Sequence, residues 1–262
     1  WSISAQLDSV HWLPPLHARA EWGPHYLYIS TPEKDPFPVE IQNGRGELLG
    51  VLNISNGQGA RFDMPSGQNT QVLVPPDSLL AALHDKGLRL RGDKKFYVNF
   101  RFQSESGFQA GDLTCKGQAA LGKVFRIGHL YNSASNTDIR NNFAAVLATQ
   151  DSTFVTLTAS DPGVDLQRGG AQTVGSTASI MLYKGESVVF AQYLTFNAAQ
   201  QPPNGLIGAL LTATKPVAVN VGSWLGAPQD RANDAGLDQI VPFEETGTEY
   251  ILCKGNGSAD ME

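Results

Sequence analysis

The sequence predicts an all-β fold of tandem antiparallel β-sandwich modules, and two observations support this prediction. The first is an internal repeat of about 110 residues, which is long enough for each copy to hold its own core. Segment 94–100 matches segment 215–221 position for position, beginning in each case with a lysine. The second observation is that apolar and polar residues alternate along these segments, which is typical of strands with one buried face.

A second landmark of the repeat is a glycine followed three residues later by an aromatic residue. It occurs at 23–26, 122–125 and 247–250, so a third copy begins shortly before the sequence given ends. We therefore expect the chain to be a piece of a longer protein. The predicted division is a first β-module at 1–106, a second at 107–236, and a partial third copy at 237–262 that completes the second module's sheet.

The alternation defines the faces of the matched strands. In the first copy Phe96, Val98 and Phe100 are apolar while the residues between them are polar or amphipathic, so the even-numbered face is core. In the second copy the valines of 217–221 form the same face, with Asn220 opposite. We expect tight turns before these segments, at 94–95 and 215–216.

Further strands are expected wherever short apolar runs lie between Gly, Pro, Asn and Asp clusters. They are 26–31, 38–42, 50–54, 70–75, 86–91, 124–130, 143–149, 153–158, 177–183, 186–193, 206–212 and 248–253. Segment 77–84 is the best helix candidate, with Asp77 as its cap and at most two turns. Composition predicts loops at 132–142 and 227–236.

Composition argues against several classes of protein. Charged residues make up 17% of the chain and the net charge is −6, whereas a nucleic-acid partner calls for a clustered basic surface. No apolar run approaches the ~18 residues of a membrane span, so direct membrane insertion is not expected. The low charge and the abundance of Gly and small polar residues favour a secreted or cell-surface β-module.

The chain has two cysteines, Cys115 and Cys253. This number excludes a disulfide scaffold and a cysteine-based zinc cluster. The two residues form either one disulfide, which would tie the third copy to the second in an oxidising compartment, or two buried thiols.

Four motifs of the second copy follow one another in the order of a known family. They are strand and turn patterns at 151–157, 182–187, 212–219 and 237–243. The chain resembles the N-terminal domain of the IgG Fc-binding protein family, found in a mucus protein and in large bacterial surface proteins, and the resemblance is clearest over residues 86–253. It implies a bacterial-type surface β-domain of a long multidomain protein, associated with binding or adhesion. It does not carry IgG binding over, because the cysteine-rich neighbouring domains of the mammalian members are not present here.

One oxygen-rich segment suggests a calcium site. Calcium takes carboxylate and carbonyl oxygens from a flexible loop, and the candidate ligands are Asp230, Asn233, Asp234 and Asp238. Their spacing departs from the EF-hand pattern. The alternative is an ordinary connector whose Asp and Asn side chains bond to the local backbone. No other cofactor is expected.

The strand region around 86–101 carries the main basic concentration of the chain, with candidate binding residues Arg89, Arg91, Lys94 and Lys95. Such a surface could contact an acidic glycan or polymer; the alternative is a solvated strand face that protects a sheet edge. Trp224 is the best candidate for an exposed aromatic residue, but packing against the neighbouring module is the use that we favour for it.

The sequence contains no catalytic signature. His11 and His17 lack the helical i, i+4 spacing of a metalloprotease, so we interpret them as surface or core histidines. The predicted function is a non-enzymatic extracellular binding or adhesion module whose ligand is a protein or a glycan. The alternatives are a stalk, matrix or filament subunit that self-associates and, with less support, a glycan-active enzyme.

Overall fold

The computed structural model describes residues 6–19, 22–104, 109–131, 141–194, 202, 204–229 and 232–249. These residues form strands and a few single-turn 3₁₀ helices, at Pro76–Ser78, Gly117–Ala120 and Phe243–Glu245. The strands are β1 (Asp8–Leu13), β2 (Leu16–His17), β3 (His25–Ser30), β4 (Phe37–Asn43), β5 (Leu48–Ile54), β6 (Ala60–Met64), β7 (Leu73–Val74), β8 (Leu88–Gln103), β9 (Ala110–Thr114), β10 (Gly122–Arg126), β11 (Asn142–Ala148), β12 (Thr153–Thr158), β13 (Gln167–Arg168), β14 (Gln172–Thr173), β15 (Thr177–Leu182), β16 (Ser187–Ala191), β17 (Leu210–Gln229) and β18 (Ala232–Ile240). The predicted all-β class is confirmed.

The strands form two similar units, each a seven-stranded sheet built around one long strand. In the first unit the order is β5-β4-β8-β3-β6, with β1 and β9 also paired to β8. In the second unit the order is β15-β12-β17-β11-β16, with β10 and β18 paired to β17. The named strand pairs in these two sheets are antiparallel. Two such units agree with the predicted repeat.

Each of the two long strands, β8 and β17, pairs with one set of strands along its first half and with another set along its second half. The first half of β8 pairs with β1 and β4, and its second half pairs with β3 and β9. The tight turns predicted at 94–95 and 215–216 are therefore wrong, since both positions lie inside continuous strands. Each long strand continues through these positions and pairs with different strands on either side of them. Pro216 lies between the two paired stretches of β17, where its missing N–H costs no ladder bond.

The burial pattern of β8 confirms the predicted alternation. Phe96, Val98, Phe100 and Phe102 are buried, and the residues between them are exposed or half-buried. In β17 the outcome differs, because Asn220 on the expected polar face is buried as well. Its amide donates a 2.7 Å hydrogen bond to the carbonyl of Pro14, at the start of the chain. The face of β17 opposite the second core is covered by the first unit.

The two units share apolar packing. Alternate residues of β11 and β16 belong to different clusters: Phe143 and Val189 join the core of the first unit, whereas Ala144 and Val188 join the core of the second. Because both faces are covered, β11 and β16 read as continuous apolar runs rather than as alternating ones. The boundaries proposed at 106 and 236 stay a prediction.

Strand β18 extends the second sheet. It pairs with β17 over Val219↔Ile240 to Gln229↔Ala232, with register shifts around Gly226. The loop predicted at 227–236 is thus largely a hairpin: Pro228 lies in the bulge between Gly226 and Gln229, and Gly236 pairs directly with Ser223. The strand predicted at 248–253 and the loop at 132–142 lie mostly outside the described residues.

The predicted helix at 77–84 is limited to the single turn Pro76–Ser78. The chain beyond it follows the edge strand β16 instead: the N–H of Leu80 donates to the carbonyl of Val189, and Leu83 and Ser187 exchange two bonds of 2.8 and 2.9 Å. These bonds satisfy the backbone groups that a helix would have paired internally. No described helix is long and apolar enough to cross a membrane.

Candidate functional site

Two of the four predicted calcium ligands have described side chains. Asp234 and Asp238 lie on β18 with exposed side chains, while Asp230 and the side chain of Asn233 lie outside the described residues. The carboxylate of Asp238 forms an ion pair with the ammonium of Lys116, with 2.6 Å between the two atoms. Among the described residues no group of three or more His, Cys, Asp or Glu side chains converges as metal ligands would. Calcium stays a prediction.

Trp224 is not exposed, so of its two expected uses the structure shows packing against the neighbouring unit. Its side chain is 0% exposed and packs 4.1 Å from Phe102 and 6.4 Å from His25, measured between ring centroids. Phe102 and His25 belong to the first unit, whereas Trp224 is carried by β17 of the second. The tryptophan therefore joins the two units and offers no surface for a ligand.

Most of the histidines lie in the interior, whereas His84 is exposed and pairs with Glu186. His17 and His25 are buried and His129 is half-buried, and desolvation lowers the pKa of each from its ordinary value to about 4. His11 is also buried, and desolvation lowers its pKa, although a hydrogen bond with the carbonyl of Phe96 acts in the opposite direction. These imidazoles are neutral at physiological pH and suit packing rather than catalysis.

Cys115 is fully buried, and desolvation raises the pKa of its thiol to about 12. A thiol of this kind is a poor nucleophile. Cys253 lies outside the described residues, so the predicted disulfide stays a prediction.

The basic residues of β8 do not form one patch. Lys94 is 3.6 Å from the carboxylate of Asp35 and lies over the ring of Phe37. Arg91 faces a small hollow lined also by Glu40 and Asp93. Arg89, by contrast, lies between Trp12 of β1 and Gln42 of β4, its direct cross-strand neighbours on the same sheet face.

Arg89 opens into the inter-unit cleft, a cavity of about 410 Å³ between the two units. Two hairpin turns form its walls, the β4–β5 turn of the first unit and the β15–β16 turn of the second. Each turn brings one cation, Arg45 and Lys184 respectively. The cleft is lined by Trp12, Gln42, Asn43, Gly44, Arg45, Gly46, Leu88, Arg89, Leu147, Ala148, Thr149, Lys184 and Gly185.

The two turns meet through glycine. Gly185 has φ +83°, and a Cβ there would collide with the carbonyl of Gly44. A side chain at either position would force the turns apart. The glycines therefore set the width of the cleft.

A second surface feature is the outer face of β3, β6 and β8. It carries Tyr26, Tyr28, Arg61, Tyr97 and Arg101, which we call the Tyr–Arg face. Tyr28 and Tyr97 are each 39% exposed. The guanidinium of Arg61 lies 4.8 Å from the ring centre of Tyr26, and that of Arg101 lies 5.7 Å from the ring centre of Tyr28. These cation–π contacts fix rings and charges in a set arrangement.

The sequence prediction identified one cation of the cleft, Arg89, and missed Arg45, Lys184 and the whole Tyr–Arg face. The alternation in β3 and β8 contained a signal for that face, because several of its solvent-side positions are Tyr or Arg, namely Tyr26, Tyr28, Tyr97 and Arg101. For Arg45 and Lys184 no signal was available, since each is an ordinary turn residue beside glycine.

The fold and surfaces described above define an all-β protein of two similar units with a cleft between them. The chain is a member of the IgGFc-binding family: the family model described as "IgGFc binding protein" matches residues 110–262. The resemblance found in the sequence is confirmed at the level of the family, and membership indicates a binding module of the extracellular type. No curated protein and no solved structure matches the chain.

Proposed function

We propose that the chain is a non-enzymatic extracellular or cell-surface binding module that attaches a larger multidomain protein to a protein partner. The observation that carries the proposal is the match to the IgGFc-binding family over residues 110–262. The bacterial, adhesin-type origin suggested by the resemblance belongs to the same proposal.

The Tyr–Arg face is the surface that best fits a protein partner. Tyrosine and arginine are enriched in protein interfaces and among the residues that dominate binding energy. Here the rings are held by neighbouring guanidinium groups, so little side-chain freedom is lost on binding. Two carboxylates border the face, since Arg61 pairs with Asp63 at 2.6 Å and Asp112 lies 3.4 Å from the amide of Asn99. This mixed charge suits a protein surface better than a polyanion.

Biolayer interferometry tests the proposal. The chain is immobilised and exposed to an IgG Fc fragment and to a set of purified mucus and extracellular-matrix proteins. We expect micromolar binding to at least one of them, and at least tenfold weaker binding by the double variant Tyr28→Ala/Tyr97→Ala. Tyr183→Ala is the matched control, because Tyr183 is an exposed tyrosine of the other unit.

Two results would contradict the proposal. Binding to none of the proteins would favour a passive stalk or filament subunit, which sedimentation at rising concentration would then test. If Tyr183→Ala weakened binding as much as Tyr28→Ala/Tyr97→Ala does, the Tyr–Arg face would not be the binding surface.

A further inference from the structure

We propose that the inter-unit cleft binds an acidic saccharide, with the carboxylate or sulfate group held by Arg89, Arg45 and Lys184. This site is separate from the Tyr–Arg face. Its ligand is of a different chemical class from the protein partner proposed above.

The charge of the cleft is the first argument. Three cations line it, and no Asp or Glu is among its described lining residues. The chain as a whole carries a net charge of −6, so the positive charge of the cleft is opposite in sign to the net charge of the protein. A local positive field inside a concave site attracts an anionic group far more than the same charges would on a flat surface.

The three cations also lack protein partners within the described part of the chain. Arg89 is half-buried, and its Nε atom is enclosed without a hydrogen-bond acceptor. Neither Arg45 nor Lys184 forms an ion pair with a described carboxylate; their backbone N–H groups, not their charged ends, bond to Asn43 and Asp151. A guanidinium group that no described protein acceptor bonds can form charge-assisted hydrogen bonds with an incoming oxyanion through its accessible nitrogens.

The nearby carboxylates are committed elsewhere. Glu47 accepts a 2.8 Å bond from the amide of Asn43, and Glu186 accepts bonds from the N–H of Tyr183 and from His84. Within the described residues neither carboxylate forms an ion pair with Arg45, Arg89 or Lys184. The cations are thus available to a ligand.

The two turns that carry the outer cations are preorganised. The side-chain oxygen of Asn43 accepts the N–H groups of Arg45 and Glu47, both at 3.0 Å. Across the cleft the N–H of Gly185 bonds to the carbonyl of Ala148 at 2.8 Å. Rigid turns lower the entropy lost when a ligand is bound.

The rest of the lining favours a sugar over a peptide or a nucleic acid. The volume of about 410 Å³ suits a small ligand rather than a polymer. Trp12 offers an aromatic ring beside Arg89, and Leu88 and Leu147 add apolar surface to the lining. A saccharide presents apolar C–H faces next to hydroxyl and acid groups, and this lining provides for both.

Titration by isothermal calorimetry and NMR tests the site. The probes are 3′-sialyllactose and a sulfated chondroitin disaccharide, with lactose as the neutral sugar and a glutamate-rich peptide as the acidic non-sugar. We expect at least one acidic saccharide to bind with a Kd below 1 mM in low salt, and lactose to bind at least tenfold more weakly. Raising the salt to 0.5 M should weaken the acidic probe several-fold by screening.

Matched variants locate the site. Arg89→Gln should weaken the acidic saccharide at least tenfold, and Arg45→Gln and Lys184→Gln should each weaken it several-fold. Arg91→Gln is the control, because Arg91 lies on the same strand two residues along and outside the cleft; it should leave the Kd unchanged. Circular dichroism melts confirm that each variant is folded.

Three results would overturn the proposal. The first is affinity for both acidic saccharides no higher than that for lactose, the second is equal loss in Arg89→Gln and Arg91→Gln, and the third is binding of the acidic peptide alone. The Tyr28→Ala/Tyr97→Ala variant should bind the saccharide normally, so failure at this site and failure at the Tyr–Arg face are distinguishable.

Discussion

At the scale of single residues, the contact between Trp224 and the first unit has the clearest energetic consequence. The indole packs on Phe102 and His25, and its side chain is fully buried. A buried aromatic residue of this size contributes both transfer free energy and close packing, which a smaller side chain cannot replace.

Trp224→Ala should lower the free energy of unfolding by ~3–5 kcal/mol, since it leaves a cavity between the units. Urea denaturation followed by circular dichroism measures the change. Tyr183→Ala, at an exposed tyrosine, should stay within ~0.5 kcal/mol of the parent. A similar small effect for Trp224→Ala would show that the indole does not join the units.

Residue patterns also show what can be read from sequence and what cannot. Alternation along β8 was visible because one face of that strand meets solvent. In β17 the same pattern was misleading at Asn220 and Trp224, because what covers its second face is contributed by a segment about 200 positions away, as in the bond from Asn220 to Pro14. The sequence around β17 itself contains no pattern that would predict this burial by a distant segment.

At the scale of elements, β18 is held by more than its ladder with β17. The side-chain amide of Gln239 donates to the carbonyl of Trp12 at 2.7 Å and to Asn220 at 3.2 Å, and its oxygen accepts the N–H of Lys116 at 2.7 Å. The strand therefore connects β17 to the first strand of the chain and to the segment between the units.

Ending the chain at residue 236 should lower the melting temperature by several degrees. The change removes Gln239 with its buried bonds and leaves part of β17 without a neighbour. Differential scanning calorimetry measures the shift, and a chain ended at residue 249, which keeps β18, is the control. An unchanged melting temperature in the shorter chain would contradict a structural role for β18.

The same scale explains why the cleft was only partly predictable. Arg89 was found because it lies on a recognisable strand. Arg45 and Lys184 lie on separate hairpin turns, and only the docking of the two units, with Gly44 against Gly185, brings them together. Sequence patterns predict single strands and turns, whereas the cleft is formed only when the turns of two different units come together.

At the scale of the whole molecule, three desolvated histidines make stability depend on pH. His17, His25 and His129 have folded-state pKa values of about 4, below the 6.5 of an exposed imidazole. Above pH 6.5 they are neutral in both the folded and unfolded states and contribute no pH dependence. Between pH 6.5 and 4 the unfolded state binds protons that the folded state excludes, so stability falls as pH falls.

Acidification from pH 7 to 5 should therefore destabilise the protein strongly, by up to ~1.4 kcal/mol per pH unit for each histidine below pH 6.5. Urea midpoints across this range measure the slope. His25→Phe should make the slope shallower, because neither ring nitrogen of His25 has a hydrogen-bond partner within the described residues and the ring is packed among aromatic residues. A slope unaffected by this substitution would exclude His25 as a source.

The shared layer formed by β11 and β16 bears on how the repeat can change in evolution. Each face of these strands completes the core of a different unit. A deletion or duplication of a single copy would leave one face of a fully apolar layer against water, with the solubility problems that such a surface brings. The two copies are thus expected to be inherited, exchanged between proteins and released by proteases as a pair.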